Sequence, residues 1–318
     1  MKINRRLARL NADFHIVLSA PVCARLRFCF FLCALCVLAG NSLAQDSILT
    51  REEYEWIPVE ASLQKIIKSG NTEQKRDALF QIRNLKIARA ARLAVPALSD
   101  KSEIVRAAAA QSIVFLPPDE AAQALLPLLR DKSILVRKEA AYALGKTRNS
   151  QAVRPLVEII QRDKIQEVKD AATVALGEIG DVSAIDALTQ ILQRRPKDEE
   201  EFFRRAAARS IGQIAQLIQT GENKTITPEN FLPGELKETI KPVYKNLSET
   251  FPRFRAALPV LIQALQNPRE ADDARREAAF ALGAIGDEAA VPALRANLNS
   301  KDYYLAEISR EALQKLSK

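Results

Sequence analysis

The sequence has very few of the side chains that carry out most protein chemistry. Its four cysteines, its one histidine and its one methionine all lie within residues 1–44. From residue 45 onward the chain can therefore form no disulfide, no Ser-His or Cys-His catalytic pair, and no metal site built on thiolates or imidazoles. It also has no glycine-rich phosphate-binding loop and no EF-hand pattern. Binding proteins and enzymes that use two carboxylates are both compatible with this inventory.

The net charge of +8 by itself favours a nucleic-acid or acidic partner, but the charge is unevenly distributed. Residues 1–44 hold six of the 47 basic residues and one of the 39 acidic residues, so the remainder has a net charge of +3. The basicity is thus mostly a property of the N-terminal stretch. We therefore expect no nucleic-acid partner and rank nucleic-acid binding third among the candidate functions.

The N-terminal stretch has the layout of a secretory signal peptide. Residues 28–40 form an apolar core of 13 residues, Arg25 and Arg27 precede it, and Ser42-Leu43-Ala44 follows with small residues at the cleavage positions. We expect residues 1–44 to be cleaved after Ala44 and the mature protein to be periplasmic or extracellular. The alternative is an uncleaved membrane anchor, although 13 residues fall short of the roughly 20 that a spanning helix needs.

One stretch, residues 168–188, shows the unit from which most of the chain is built. Val168, Ala171, Ala172, Ala175, Leu176 and Ile179 share one face at helical spacing. Gly180-Asp181 then predicts a helix end, and a second apolar run begins at Ile185. The pattern predicts a helix, a tight turn and a second helix.

The same unit recurs at a regular distance. Its first helix is marked by valines spaced 31 and 32 residues apart, and its second helix begins eight residues after a glycine. These positions are Val105, Val136 and Val168 for the first helices, and Gly145, Gly177 and Gly283 with Val153, Ile185 and Val291 for the second. The repetition predicts an all-α stack of about six helix pairs over residues 71–318.

The ends of the stack and one of its units depart from the pattern. Residues 45–70 read as an N-terminal capping helical segment interrupted at Pro58, and the helix at 305–316 has the polar outer face of a terminal cap. In unit five the sequence pattern of the second helix reappears at Leu258, which is 46 residues after Gly212 instead of eight. This predicts an insertion at about 216–255. We expect it to form an extra helical element, beginning with the Thr227-Pro228 cap, or to lengthen two helices.

These units resemble HEAT repeats, and specifically the short bacterial PBS-lyase HEAT-like type. The resemblance rests on Val-Arg-x-x-Ala-Ala-x-Ala-Leu-Gly at 136–145 and on Ala-Leu-Gly-x-Ile-Gly-Asp at 175–181 and 281–287. It implies a right-handed α-solenoid with terminal capping helices, in which the first helices lie on the convex side and the second helices on the concave side. It also implies pairing along the stack between Asp100, Asp131 and Asp163 and the basic residues Arg106, Arg137 and Lys169.

Some proteins with similar repeats are enzymes, namely bilin lyases and deoxyhypusine hydroxylases. The His-Glu metal ligands of the second group cannot be carried over, because the mature chain has no histidine. A hydrolase or lyase that uses two carboxylates stays open as the alternative function. The acidic run at 198–201 is more simply explained as the charged first turn of a helix. We expect no cofactor and no metal.

Two surfaces are candidates for binding a partner. The first is the groove of stacked second helices, where polar residues recur at a spacing of four; the second is the aromatic content of the insertion. The residues are Arg154, Glu158, Arg162, Asp186, Gln190, Arg194 and Arg295 for the groove, and Phe231, Tyr244, Phe251 and Phe254 for the insertion. The alternatives are a solvated helix face for the first set and packing of the insertion onto units five and six for the second.

The sequence as a whole therefore predicts an exported, non-enzymatic scaffold. We expect it to act as a protein–protein interaction scaffold or assembly factor of the cell envelope, with a protein or peptide partner. Contact with a membrane is expected only through an uncleaved leader. The oligomeric state and the identity of the partner are left open.

Overall fold

Helix pairs follow one another along the described part of the chain. The computed structural model describes residues 51–222 and 244–316, and the chain divides into two units, residues 1–57 and 58–318. The predicted signal peptide of residues 1–44 lies outside the described residues. Of the first unit only 51–57 are described, as part of a helix. The second unit holds the repeats.

The described residues form fifteen α-helices and no β-strand, which confirms the predicted all-α solenoid of helix pairs. None of these helices is both long and apolar enough to cross a membrane. They are α1 Arg51–Ser69, α2 Thr72–Leu85, α3 Ala88–Arg92, α4 Glu103–Ser112, α5 Pro118–Leu125, α6 Ile134–Thr147, α7 Val153–Arg162, α8 Gln166–Ile179, α9 Ile185–Gln193, α10 Glu201–Thr220, α11 Leu247–Thr250, α12 Pro252–Gln266, α13 Asp272–Ile285, α14 Val291–Ala296 and α15 Tyr303–Leu316.

The N-terminal helix α1 differs from its prediction. Pro58 lies inside the helix and does not end it. Its C-terminal half carries the predicted apolar face, since Leu63 and Ile67 are buried. The following helix α2 begins with a capping box in which the Asn71 side chain accepts from the backbone N–H of Gln74 and the Gln74 side chain accepts from Asn71.

The unit at residues 168–188 folds as its pattern predicts. The apolar face of α8 is buried, from Val168 to Ile179. Gly180 ends the helix in the left-handed conformation at φ 79°, which glycine adopts without steric strain. The Asp181 side chain then accepts from the backbone N–H of Ser183 and starts a short 3₁₀ turn that leads into α9. The same Gly-Asp device ends α13 at Gly286 and Asp287.

The first helices of the units, α2, α4, α6, α8, α10 and α13, together with the terminal helix α15, pack directly on one another and form the first-helix layer. Small residues bring them close. A Cβ added at Gly145 would lie 2.8 Å from the Cα of Ala175 on the next first helix, and one at Gly283 would lie 2.8 Å from the Cα of Ala312. The second helices make fewer contacts with each other, so the first-helix layer is the more tightly packed one.

The second helices vary in regularity along the stack. In units one and two they end in 3₁₀ turns, at Val95–Ser99 and Leu126–Arg130, each with proline near its start. In units three and four they are regular helices, α7 and α9. Proline is tolerated in the first turn because the N–H that it lacks would have no intrahelical partner there.

A ladder of ion pairs links the units, with a register one unit away from the implied one. The carboxylate of Asp131 pairs with Arg106 of the preceding first helix at 2.8 Å, and that of Asp163 pairs with Arg137 at 2.8 Å. Asp100 pairs with Lys75 at 2.7 Å. The resemblance implied that Asp100 would pair with Arg106 and Asp131 with Arg137. Instead, the backbone carbonyl of Asp100 accepts a hydrogen bond from Arg106, and that of Asp131 accepts one from Arg137. Each arginine therefore binds the chain at two successive connections between units, one through a carboxylate and one through a backbone carbonyl.

The ladder lacks a carboxylate at the junction of units four and five. The equivalent basic residue is Lys169, and the position of the aspartate is taken by Arg194. Both cations lie over the ring of the buried Phe203, at 5.8 and 5.9 Å from its centroid. Within 51–222 and 244–316 neither is paired with a carboxylate. The implied pairing of Asp163 with Lys169 is replaced by the Asp163–Arg137 pair.

The insertion lengthens the two helices of unit five. The first helix α10 has 20 residues, against 14 in α8, and the second helix α12 has 15, against nine in α9. Helix α12 begins at Pro252, before the matched Leu258, and contains Pro259. Residues 223–243 lie outside the described part, and the predicted Thr227-Pro228 cap is among them.

Candidate binding surfaces

The predicted column on α7 is solvent-exposed. The Arg154 side chain is 91% exposed and lies 3.7 Å from Glu158, four residues on along the same helix. Arg162 is exposed in the last turn. These positions have the geometry of a solvated helix face, which is the alternative that the sequence left open.

The equivalent column on α9 is partly engaged by the protein itself. Asp186 accepts from Arg253 of α12 at 2.8 Å, so this carboxylate helps to hold unit five against unit four. Gln190 is exposed. Arg194 ends α9, where its backbone carbonyl accepts from Arg204 at 2.7 Å. Arg295 is exposed on α14, in the last unit.

The predicted aromatic residues of the insertion that the structure describes are mostly buried. Phe254 is fully buried and Tyr244 is 8% exposed. Phe251 makes an edge-to-face contact with Phe254 at a centroid distance of 6.1 Å, and Lys315 lies 5.2 Å from the ring of Tyr244. These are the contacts of packing residues, the second alternative left open. Phe231 lies outside the described residues.

An open groove lies instead on the first-helix layer of units one to three. It has a volume of about 250 Å³. Its lining is largely apolar and comes from α2, α4 and α6. The residues are Arg76, Phe80, Arg83, Ile104, Ala107, Ala108, Gln111, Ser112, Leu135 and Glu139. We call it the Phe80 groove.

Two of its apolar side chains are unusually exposed for their type. Phe80 is 55% and Ile104 is 47% exposed. The small residue Ala108 lies on the groove side of α4, one turn after Ile104, so the groove has a shallow floor. The sequence-based prediction placed binding on the second helices and on the insertion, and so missed this surface. A signal was present, because Phe80 lies at helical spacing from Arg76 and Arg83 on the polar face of its helix.

A chain of hydrogen bonds fixes one wall of the Phe80 groove. The Arg83 guanidinium lies 5.2 Å from the Phe80 ring centroid and donates to the side-chain oxygen of Gln111 at 2.5 Å. The Gln111 amide donates in turn to Glu139 at 2.7 Å. The chain crosses α2, α4 and α6, so the groove wall has a defined shape before any partner arrives.

Three carboxylates act electrostatically on Tyr142, where the first-helix layer continues from α6 to α8. Burial raises the pKa of the Tyr142 hydroxyl, and the negative charges of Asp170, Glu139 and Glu178 raise it further. Burial likewise raises the pKa of the carboxyls of Asp170 and Glu178. We call these four residues the Tyr142 cluster. Across the described residues, no group of three His, Cys, Asp or Glu side chains is arranged to hold a metal ion.

A second charged cluster joins α10 to α13. Arg205 pairs with Asp273 at 3.0 Å, and Arg209 lies 3.5 Å from Glu277. Glu277 is 7% exposed, and its Oε2 atom has no hydrogen-bond partner. Burial raises its pKa to about 7, against the opposing effect of Arg209 and Arg205. This carboxyl is thus far less acidic than an exposed glutamate.

The acidic run at 198–201 fits the structural explanation given for it. Asp198–Glu200 form a 3₁₀ turn that leads directly into α10, and Asp198 and Glu199 are exposed. Negative charge at a helix N-terminus is favourable because of the helix dipole. The run therefore serves as a charged first turn.

Comparisons with known proteins agree with the observed architecture. The family model described as HEAT repeats matches residues 123–212 and 245–314, which is about half of the chain. No curated protein sequence matches the chain.

Three solved structures are similar to the chain at low sequence identity. An engineered protein is 19% identical over 83% of this chain and 69% of its own, with a TM-score of 0.48. The complex of CpcE and CpcF of phycocyanin lyase from Nostoc sp. PCC7120 is 19% identical over 88% and 92%, with a TM-score of 0.44. Human deoxyhypusine hydroxylase in complex with glycerol is 19% identical over 81% and 84%, with a TM-score of 0.35.

Proposed function

Because this chain belongs to the HEAT-repeat family, we propose that it is a non-enzymatic scaffold that binds a protein or peptide partner in the cell envelope. The observation that carries the proposal is the first-helix layer, a continuous surface whose Phe80 groove exposes large apolar side chains. Exposed apolar surface next to fixed polar groups is typical of a protein interaction site.

The residue inventory supports binding rather than catalysis. From residue 45 onward the sequence has no cysteine and no histidine. The alternative, a hydrolase or lyase that uses carboxylates alone, is not favoured, because the acidic run at 198–201 lies at the exposed start of α10. A carboxylate enzyme needs two such groups across a substrate cleft.

The envelope location is supported by the N-terminal sequence. Residues 28–40 have the apolar core of a signal peptide, and Ser42-Leu43-Ala44 fits the cleavage site. The test is to express the full chain with a C-terminal tag in a bacterial host and to sequence the N-terminus of the purified protein. We expect the periplasmic fraction to yield a chain that begins at Gln45. A cytosolic product that retains residues 1–44 would contradict export.

The binding function has its own test. The tagged mature chain is incubated with envelope extract, cross-linked under mild conditions and analysed by mass spectrometry. We expect one protein to be recovered repeatedly, at a fixed ratio to the bait and with cross-links that map to the repeats. Recovery of the bait alone, with an unchanged sizing profile, would contradict the scaffold function.

A further inference from the structure

We propose that the junction of units four and five is an anion-binding site, in which Lys169 and Arg194 together bind a carboxylate from an acidic side chain of the partner. That the carboxylate comes from a protein partner rests on the proposed scaffold function. Arg194 is one of the residues that the sequence predicts for partner binding, whereas Lys169 is implied only as a member of the ion-pair ladder.

The three preceding junctions each hold a carboxylate at the end of the second helix. These carboxylates belong to Asp100, Asp131 and Asp163, and each pairs with a cation of the preceding first helix at 2.7 or 2.8 Å. Each also accepts from the backbone N–H two residues further along the chain. A carboxylate is therefore the group that this place in the repeat normally holds.

Arg194 occupies the same place at the fourth junction. Like Asp131, it ends its second helix with an extended backbone, at ψ 156° against 146°. Its carbonyl accepts from Arg204 at 2.7 Å, as the carbonyl of Asp131 accepts from Arg137 at 3.0 Å. The backbone of Arg194 therefore has the position relative to Lys169 that brings a carboxylate and a cation into contact at the other junctions.

The fourth junction thus holds two cations where the others hold one cation and one carboxylate. Nζ of Lys169 and Cζ of Arg194 lie 5.8 and 5.9 Å from the same ring centroid, that of Phe203. The ring has no net charge, so the two positive charges are left uncompensated and repel each other. An anion between them replaces this repulsion with two attractions. Pro196, two residues after Arg194, has no N–H, so the two side chains alone hold the anion.

The carboxylates near this junction are engaged elsewhere. Asp163 and Asp170 both interact electrostatically with Lys169. Asp163, however, accepts two hydrogen bonds from Arg137, at 2.8 and 3.1 Å, and Asp170 accepts one from Gln166 at 2.8 Å. The acidic run at 198–200 forms the turn that leads into α10, where the helix dipole favours it. Within 51–222 and 244–316, none of these carboxylates pairs with Lys169.

The site has a fixed frame that solvent can reach. The carbonyl of Arg194 is held by Arg204, which is itself held by Glu270 at 2.8 Å. The Phe203 ring beneath the cations is 1% exposed. Arg194 is exposed and Lys169 is half-buried, so an anion can approach from outside. A frame that is ordered in advance lowers the entropy cost of binding.

The first experiment tests the site with a defined carboxylate. The probe is an acetylated and amidated peptide of Gly and Ser with one Glu, and its matched control has Gln at that position. Backbone amide resonances of residues 194–197 are followed by NMR in the ¹⁵N-labelled mature chain at constant ionic strength. We expect a saturable shift with the Glu peptide, none with the Gln peptide, and weaker binding as salt is added. The amide of Arg154, a 91% exposed arginine on α7, should not shift.

Protein variants then locate the bound carboxylate. We expect Lys169→Gln and Arg194→Gln each to raise the Kd at least about threefold. Arg194→Asp should abolish binding, because the new carboxylate occupies the place and pairs with Lys169. The matched control is Arg195→Gln, which removes the same charge at the next, exposed position. It should change the Kd less than about twofold. Circular dichroism confirms that each variant is folded.

The outcomes separate the site from the scaffold function. Equal shifts with the Glu and Gln peptides, or equal weakening by Arg194→Gln and Arg195→Gln, overturn the site. If the envelope partner is captured as well by Arg194→Asp as by the unaltered chain, the scaffold function stands and the partner's carboxylate is not bound here. If the Glu peptide binds as expected but the unaltered chain captures no partner, the site stands and the scaffold function is wrong. Capture that is lost in Arg194→Asp and kept in Arg195→Gln supports both.

Discussion

Arg204 and Glu270 form a buried ion pair that joins the two sides of the insertion. They are 66 residues apart in sequence, their side chains are 2% and 1% exposed, and they make two hydrogen bonds of 2.8 and 2.5 Å. Arg204 also donates to the backbone carbonyls of Ile191, Leu192 and Arg194. One guanidinium therefore fixes unit four, the start of α10 and the connection between α12 and α13 together.

Removal of one partner of this pair should destabilise the protein strongly. In Glu270→Gln the Arg204 charge stays buried without its carboxylate, and such a loss costs about 3–5 kcal/mol. Urea unfolding measures the change. The control is Asp186→Asn, which breaks the exposed Asp186–Arg253 pair and should cost less than about 1 kcal/mol. Equal effects of the two substitutions would contradict the special role of the buried pair.

Restoration of the missing carboxylate at the junction of units four and five should stabilise the protein. Arg194→Asp places an acid opposite Lys169, as Asp163 stands opposite Arg137 in the preceding unit. Relative to Arg194→Ala, the unfolding free energy should rise by about 0.5–1 kcal/mol. The gain should vanish when Lys169 is also replaced by Ala. A gain that persists in that background would mean that the new acid acts elsewhere.

The carboxyl of Glu277 should make stability depend on pH. Its pKa is raised to about 7 in the folded protein, against an ordinary value of 4.5. As pH rises from about 4.5 to about 7, the unfolded chain loses this proton before the folded protein does, so stability falls. The full effect corresponds to about 3 kcal/mol.

Glu277→Gln should remove that part of the fall. The difference in unfolding free energy between Glu277→Gln and the unaltered protein should therefore shift in favour of the variant as pH rises from about 4.5 to about 7. Above pH 7 the difference should stay constant. Carboxyls with lowered pKa, such as Asp131 and Asp163, contribute in the opposite direction but are common to both proteins. Glu288→Gln, at an exposed position, serves as control. A parallel pH profile for Glu277→Gln and the unaltered protein would contradict the assignment.

A methyl group at Gly145 should push two first helices apart. The added Cβ would lie 2.8 Å from the Cα of Ala175 and 2.9 Å from Oε2 of Glu178. The backbone contact cannot be relieved by a rotamer change, so we expect Gly145→Ala to cost about 1–3 kcal/mol, despite the better helix propensity of alanine. Lys146→Ala, at the next and exposed position, should change stability by less than about 0.5 kcal/mol. A loss of the same size in Lys146→Ala would contradict a steric cause.

The repeats could be read from the sequence because each one repeats a local rule. The apolar period, the Gly-Asp stop and the distance from glycine to the second helix are all properties of neighbouring residues, and they predicted α8, α9 and α13 closely. Pro58 is the exception, since it lies within α1. The pairing of Asp131 with Arg106 could not be read locally, because the carboxylate and the backbone carbonyl of one aspartate serve arginines of two different units.

The candidate surface depended on packing that the repeat pattern does not contain. The sequence placed binding on Arg154, Glu158 and their equivalents, because they lie at helical spacing on the second helices. Phe80 lies at helical spacing from Arg76 and Arg83, so its exposure could have been read from the sequence. Ile104 gave no such sign, because it stands next to Val105 at the start of an apolar run. Exposure depends on how closely the next helix approaches, and the small side chains of α4 leave a shallow floor there.

By itself, the sequence determined that this protein is a stack of helix pairs with an interruption in unit five and with no thiol or imidazole after residue 44. Those features follow from composition and from interactions within about one repeat. Only the tertiary structure decided that the first helices form the tighter layer, that Arg204 reaches Glu270 across the insertion, and that an apolar groove adjoins the Tyr142 cluster. The reason is that each of these joins residues from separate units, whose distances are fixed by packing and not by the repeat itself.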